Sequence, residues 1–199
     1  MKIDISTNFP EVQRKLQTLR DDISSRVTAS ALNRTVEQAR TQMTREITAE
    51  YNVTSSYVRS RLAIRRASFK QGTFEMRAEL TGGSSRGRSA NLIRFAEKAV
   101  TLAQARKRAK AGDLTQLRFQ VRKTGGKKVI KGAFIGNKGR TVFIRTTDKR
   151  LPIRALQTID VGQMFNQRRI NARVVSLIKT KFPELFARDL KYHLGKFNG

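Results

Sequence analysis

Thr73-Phe74-Glu75-Met76-Arg77-Ala78-Glu79-Leu80 alternates polar and apolar side chains without an error. Successive side chains of an extended chain point to opposite faces, so this period of two predicts one half-buried strand. Gly72 before it and Gly82-Gly83 after it punctuate its ends, and residues 63–69 can supply a hairpin partner. Upstream the period is different. Asn8-Phe9-Pro10-Glu11 offers an N-cap, an early proline and an acid in the first turn. Val12, Leu16, Leu19, Ile23 and Val27, then Leu32, Val36, Ala39, Met43 and Ile47, recur at intervals of three and four. No Gly or Pro interrupts residues 11–50, so they read as helix, about 60 Å long if unbroken. Two readings stand equal. A kink near Ser24-Ser25 or residues 28–30 folds it into two helices, or one helix leaves its domain to pack on neighbouring subunits through Leu16, Leu19, Ile23 and Val27. A short second helix starts at Thr54 or Ser55 and carries Tyr57, Val58 and Leu62.

Downstream, Leu117/Phe119/Val121, residues 129–135 and residues 141–145 are further strand candidates, joined by turns at 125–128 and 136–139. Short strands with short Gly-bearing turns imply an antiparallel meander. The chain then returns to helix. Asp160 can cap a segment through Met164, Phe165, Val174, Val175, Leu177 and Ile178, and Pro183 opens a last helix with Leu185, Phe186, Leu190 and Leu194. The class is α+β: a long N-terminal helix, a small antiparallel β-sheet in the middle and C-terminal helices. The expected organisation is an extended helical segment over 1–62, an interface element, and an α+β domain over 63–199. Flexible basic loops interrupt that domain at 82–91 and 104–112.

Charge is the compositional outlier: 42 Lys and Arg against 15 Asp and Glu in 199 residues, a formal net charge of +27. It is unevenly placed. Residues 1–58 hold 8 basic and 7 acidic residues, residues 59–150 hold 25 and 5, and residues 151–199 hold 9 and 3. Self-repulsion on this scale asks for an anionic partner, and the middle of the chain faces it. Arg86, Arg88, Arg106, Lys107, Arg108, Lys110, Lys127, Lys128 and Lys131 lie on loops and strand flanks. There they can neutralise phosphates without reading sequence, or meet an acidic protein surface. Aromatic residues do not interleave with these clusters, so base stacking finds no support. Residues 44–66 offer another route: a helix end, a turn at 52–54 and a short helix with Arg59, Arg61, Arg65 and Arg66 resemble a helix-turn-helix reader.

Catalytic inventory is thin. The one histidine, His193, sits on a helical turn near the C-terminus, and there is no cysteine. Disulfides and thiolate metal sites are therefore excluded, and neither a metal nor a cofactor is expected. The adjacent acids Asp21 and Asp22 point about 100° apart on a helix and cannot readily share a proton. No P-loop, dinucleotide fingerprint or nucleophile elbow is present, so an enzyme is not expected. No membrane span or signal segment is expected either.

Several stretches together resemble one known family. They are Ala31-Leu32-Asn33-Arg34, Arg45-Glu46, the basic block Val58 to Ala67, and Lys131-Gly132-Ala133-Phe134-Ile135. Gly139-Arg140, Val142-Phe143-Ile144-Arg145, Leu151-Pro152-Ile153 and Val161 to Asn166 follow, leading into helices that end at Leu190-Lys191-Tyr192. This order is similar to the phage minor tail protein Z family, whose members are described as tail-completion proteins. Agreement is strongest over residues 131–153 and poor over 82–125. The resemblance brings no catalytic motif. It implies a structural protein at the head-proximal end of the virion tail, assembled in the host cytoplasm and helping head–tail joining and DNA positioning. It also implies a homo-oligomeric ring, a hexamer by the symmetry of a sixfold tube, in contact with other tail and neck proteins. DNA phosphate without sequence specificity is a further partner. The rival reading is a DNA-binding regulator using residues 44–66.

Overall fold

The computed structural model describes residues 2–5, 21–70, 73–75, 77–83, 89–96 and 117–195. Helix α1, Asp21–Glu50, runs unbroken past residues 24–25 and 28–30, so the kinked alternative is not what forms. Val27, Ala31, Leu32, Val36, Ala39, Met43 and Ile47 make one stripe with no exposed surface. Three buried threonines share the helix, and each hydroxyl donates to a carbonyl one turn back: Thr28 to Ser24 (2.8 Å), Thr35 to Ala31 (2.7 Å) and Thr44 to Arg40 (2.8 Å). A buried hydroxyl without a partner is costly, and bonding within its own helix removes that cost.

Helix α4, Arg168–Gly195, covers the stripe with Ile170, Val174, Ile178, Phe182, Leu185 and Phe186. Ser30 donates to Asp189 (2.7 Å), and Arg173 donates to Glu46 (2.6 Å). These partners lie 16 residues apart on both helices (46 − 30 and 189 − 173) and in opposite order. The two helices are therefore antiparallel and side by side over about 24 Å. Pro183 was expected to open a separate helix and instead lies inside α4. It has no N–H for the carbonyl of Lys179, a loss of about 3 kcal/mol in a helix interior. Burial of Phe182, Leu185 and Phe186 against α1 outweighs this, at roughly 1.5–3 kcal/mol per side chain.

The strand expected over 73–80 is two strands. Strand β4, Thr73–Glu75, pairs with β3, Ser68–Lys70. Strand β5, Ala78–Gly82, is central between β1, Lys2–Ile5, and β2, Leu62–Arg65, with Ile3 opposite Leu80 on one side and Ile64 opposite Leu80 on the other. Ala78, Glu79, Leu80 and Gly82 are all buried, so β5 is covered on both faces rather than half-buried. Gly82 also ends the expected loop 82–91 at its start. A Cβ there would lie 2.6 Å from the Phe165 ring. The far end of the loop is strand too: β6, Ser89–Asn91, pairs with β12, Gln157–Ile159.

Strands β7, Arg118–Phe119, and β8, Lys128–Val129, form a hairpin. A meander follows, with β9, Ala133–Gly136, β10, Thr141–Arg145, and β11, Ile153–Ala155, in the order β11-β10-β9. The expected strand 129–135 is thus split, because Gly132 turns the chain at φ +74° between β8 and β9. Helix α2, Ser55–Arg61, has Thr54 as its N-cap, the hydroxyl accepting from Tyr57 N–H. Asp160 opens only a short helix, α3, Val161–Phe165; residues 166–167 break the path before α4.

One core joins α1, β5, the 3-10 turn Leu92–Phe95, β10, α3 and α4, and Leu62 belongs to it. Residues on both sides of the expected division at residue 62 contribute to this core. Val27, expected to wait exposed for a neighbouring subunit, is completely covered within its own chain. Its partner helix lies far away in sequence, where no local periodicity could reveal it.

Candidate nucleic-acid and partner interface

Several acids of the helical body are engaged in ion pairs. Glu37 pairs with Arg66 (2.6 Å), Glu46 with Arg173 (2.6 Å), Glu50 with Arg122 (3.7 Å) and Asp189 with Arg34 (3.2 Å). Tyr57 donates its hydroxyl proton to Asp160 (2.7 Å) beneath the Arg94 guanidinium, which sits 4.0 Å from the ring centroid. Burial, with the hydrogen bond and charge of Asp160 behind it, raises the Tyr57 phenol above its ordinary pKa. The more exposed of these pairs, such as Glu37–Arg66, stabilise little individually. Their consequence here is positional: the acids are held on the body.

Residues 117–155 are the opposite case, with twelve Lys and Arg and the single acid Asp148. The fold places them on four turns and on the short strands that these turns join. The β7–β8 hairpin is anchored to the end of α1 by Asn52 N–H to Val121 O and Lys123 N–H to Glu50 O, both 2.9 Å. Gln120 spans its turn, donating to the carbonyls of Lys123 and Gly125, both at 3.1 Å. A turn tied at its base and across its middle presents Lys127 and Lys128 outward, and both are exposed. Lys131 is exposed on the turn into β9. The β9–β10 turn places Asn137, Lys138 and Gly139 at φ of 51°, 54° and 85°, which turns Lys138 and Arg140 to solvent. The β10–β11 turn, fastened by Thr146 donating to Pro152 O (3.1 Å), exposes Lys149 and Arg150.

Of the residues expected to contact an anionic partner, Lys127, Lys128 and Lys131 are thus together on one basic hairpin region. Arg86, Arg88, Arg106, Lys107, Arg108 and Lys110 lie outside the described residues, as do Leu16 and Leu19 and the side chain of Ile23. Lys138, Arg140, Arg145, Lys149 and Arg150 were not singled out from sequence. The basic count of the middle third contained them, but only the strand pairing shows that they lie on β10 and on the turns at the two ends of the β9–β10–β11 sheet. Aromatics do meet cations here after all: Phe134 and Phe143 stack at 6.0 Å, with the Arg145 guanidinium 5.8 Å from the Phe134 ring.

The helix-turn-helix reading loses its reader. Helix α2 has seven residues and passes directly into β2, so Arg65 is on a strand and Arg66 is bound to Glu37. A helix of about 10 Å continuing into a sheet cannot lie along a major groove.

Among the described residues no three His, Cys, Asp or Glu side chains gather as metal ligands, and no helix is long and apolar enough to cross a membrane. His193 stands edge-on to the Tyr192 ring at 5.4 Å. A family model described as prophage minor tail protein Z matches residues 10–198. The chain belongs to that family. Minor tail proteins are structural parts of a phage tail, not a class of enzyme, and membership places this one in the virion tail among other phage proteins. The match spans the helices and the sheets alike, including the stretch 82–125 where the sequence resemblance is poorest. Neither curated proteins nor solved structures yield a match.

Proposed function

We propose that this minor tail protein is a tail-completion component. It caps the head-proximal end of the tail as a homo-oligomeric ring, helps join tail to head, and holds the leading DNA by its phosphates. The observation that carries this reading is the segregation of charge. Glu37, Glu46 and Asp189 pair within the body, whereas residues 117–155 carry twelve cations, of which Arg122 reaches Glu50, against one acid. A rigid helical pair with a cationic sheet suits a joint that is built into a protein assembly on one side and meets DNA on another. Subunit contact then falls to Leu16, Leu19 and Ile23, because the stripe from Val27 onward is already covered. The regulator reading has no helix of sufficient length to support it.

The test is assembly with a charge-depleted chain. Phage carrying Arg106→Gln, Lys107→Gln, Arg108→Gln and Lys110→Gln should still make tails of normal length. Joining to filled heads, or delivery of DNA from joined particles, should fall at least about tenfold, as expected for losing several phosphate contacts. Normal joining and delivery with this variant would remove DNA contact by these residues from the account.

A further inference from the structure

We propose that the outer face of the β9–β10–β11 sheet is a docking surface for an acidic protein segment that also carries apolar side chains.

The two faces of this sheet differ in kind. Val142 is fully buried, and Ile135 and Ala133 pack beside it on the core. Val142 N–H donates to Asn91 Oδ1 (3.0 Å) at the start of the 3-10 turn, which fixes the inner face. Alternation along the strands sends Phe134, Phe143, Arg145 and Ile153 the other way. The register agrees, with Phe143 opposite Phe134 on one side and Ala155 on the other, and Arg145 opposite Ile153. The Phe143 ring leans over Gly136, where an added Cβ would lie 3.0 Å from it. Phe134, Phe143 and Ile153 are absent from the apolar residues that contact the core. Leu151, beside Ile153, is 65% exposed and Ile153 39%. Phe134 and Phe143 are half-buried, so this is an aromatic and aliphatic face that the described residues cover only in part, most openly at Leu151 and Ile153.

Charge selects the occupant. The strands run out into basic turns at both ends, with Lys138 and Arg140 at one and Lys149 and Arg150 at the other, while Arg145 lies on the face itself. A second copy would bring the same cations and be repelled. An aromatic centre with arginine at its edge is the anatomy of a protein interface core and rim. Duplex DNA satisfies the rim but offers nothing to Leu151 and Ile153. Bases can stack on a phenylalanine but gain little from an aliphatic pair. An acidic segment with leucine-like side chains satisfies both. The DNA reading draws on the same basic segment, and substitutions at Leu151 and Ile153 separate the two because they leave every cation in place.

The experiment measures binding of the full chain to three probes of equal charge: a synthetic peptide alternating Glu and Leu, poly-glutamate, and oligo-dT. The alternating peptide should bind about tenfold or more tightly than poly-glutamate at the same salt, from apolar burial. Leu151→Ser with Ile153→Ser should abolish that margin and leave poly-glutamate binding unchanged. Leu151→Ser alone, at a largely exposed position, should reduce it, and thermal unfolding checks that both variants remain folded. Equal binding of the two peptides would overturn the proposal, as would a margin that survives the substitutions. Tighter binding of oligo-dT that is lost with the same substitutions would make the face a nucleic-acid platform instead. Self-association of the wild type, abolished by Leu151→Ser, would assign the face to a second copy.

Discussion

Phe182→Ala should lower stability by about 3–5 kcal/mol, the usual cost of emptying a buried aromatic site. Phe182 has no exposed surface and lies 6.2 Å from the Phe186 ring on the face of α4 that meets α1. It also precedes Pro183, where the helix has already lost a backbone hydrogen bond. The packing that Phe182 supplies is part of what keeps α4 continuous there. For a chain of this size the loss corresponds to a fall in Tm of roughly 6–20 °C. Tyr192→Ala is the control, on the same helix but 59% exposed, and should stay within about 0.5 kcal/mol of the parent. Equal effects from the two substitutions would mean that α4 is not packed along α1.

Binding to duplex DNA should be indifferent to sequence and should weaken steeply with salt. Each phosphate neutralised releases counterions and contributes about −0.9 to the log–log slope, and six to ten such contacts cost roughly 10³–10⁵ in affinity between about 50 and 200 mM salt. Lys127 and Lys131 are exposed on turns and Lys128 is exposed on the short strand β8. Replacing all three with Gln should flatten the slope by about 0.9 for each that meets a phosphate, with no change in thermal unfolding. A strong preference for one duplex sequence at equal salt would restore the regulator reading. An unchanged slope would remove these three lysines from the DNA surface.

Local patterns were legible where the physics is local. The apolar stripe of α1 from Val27 onward, the start of α2 at Ser55 and the turn glycines each read correctly, because helical periodicity and turn chemistry act within a few residues. Misreadings arose where a distant partner decides. Val27 looked surplus to a small core, yet it is completely buried on a helix that packs along α4, a partner from beyond residue 167. Pro183 looked like a helix start, yet burial of its neighbours on α1 overrides the backbone cost. The run 73–80 kept perfect alternation across a change of pairing partner, since alternation records faces and not neighbours. The site followed the same rule. Cations were countable in the sequence, but Phe134 and Phe143, nine positions apart, become a stacked pair only through the register of β9 and β10.

The central claim is that this chain closes the head-proximal end of the tail with its basic surface toward DNA. A cryo-EM map of the intact virion neck tests it directly. The account predicts a ring of this chain, in sixfold register with the tail tube, at the end nearest the head. The 117–155 surface should be turned inward to the DNA or against an acidic neighbouring ring. Density for the chain at the distal tip, or a ring with that surface facing open solvent, would contradict it.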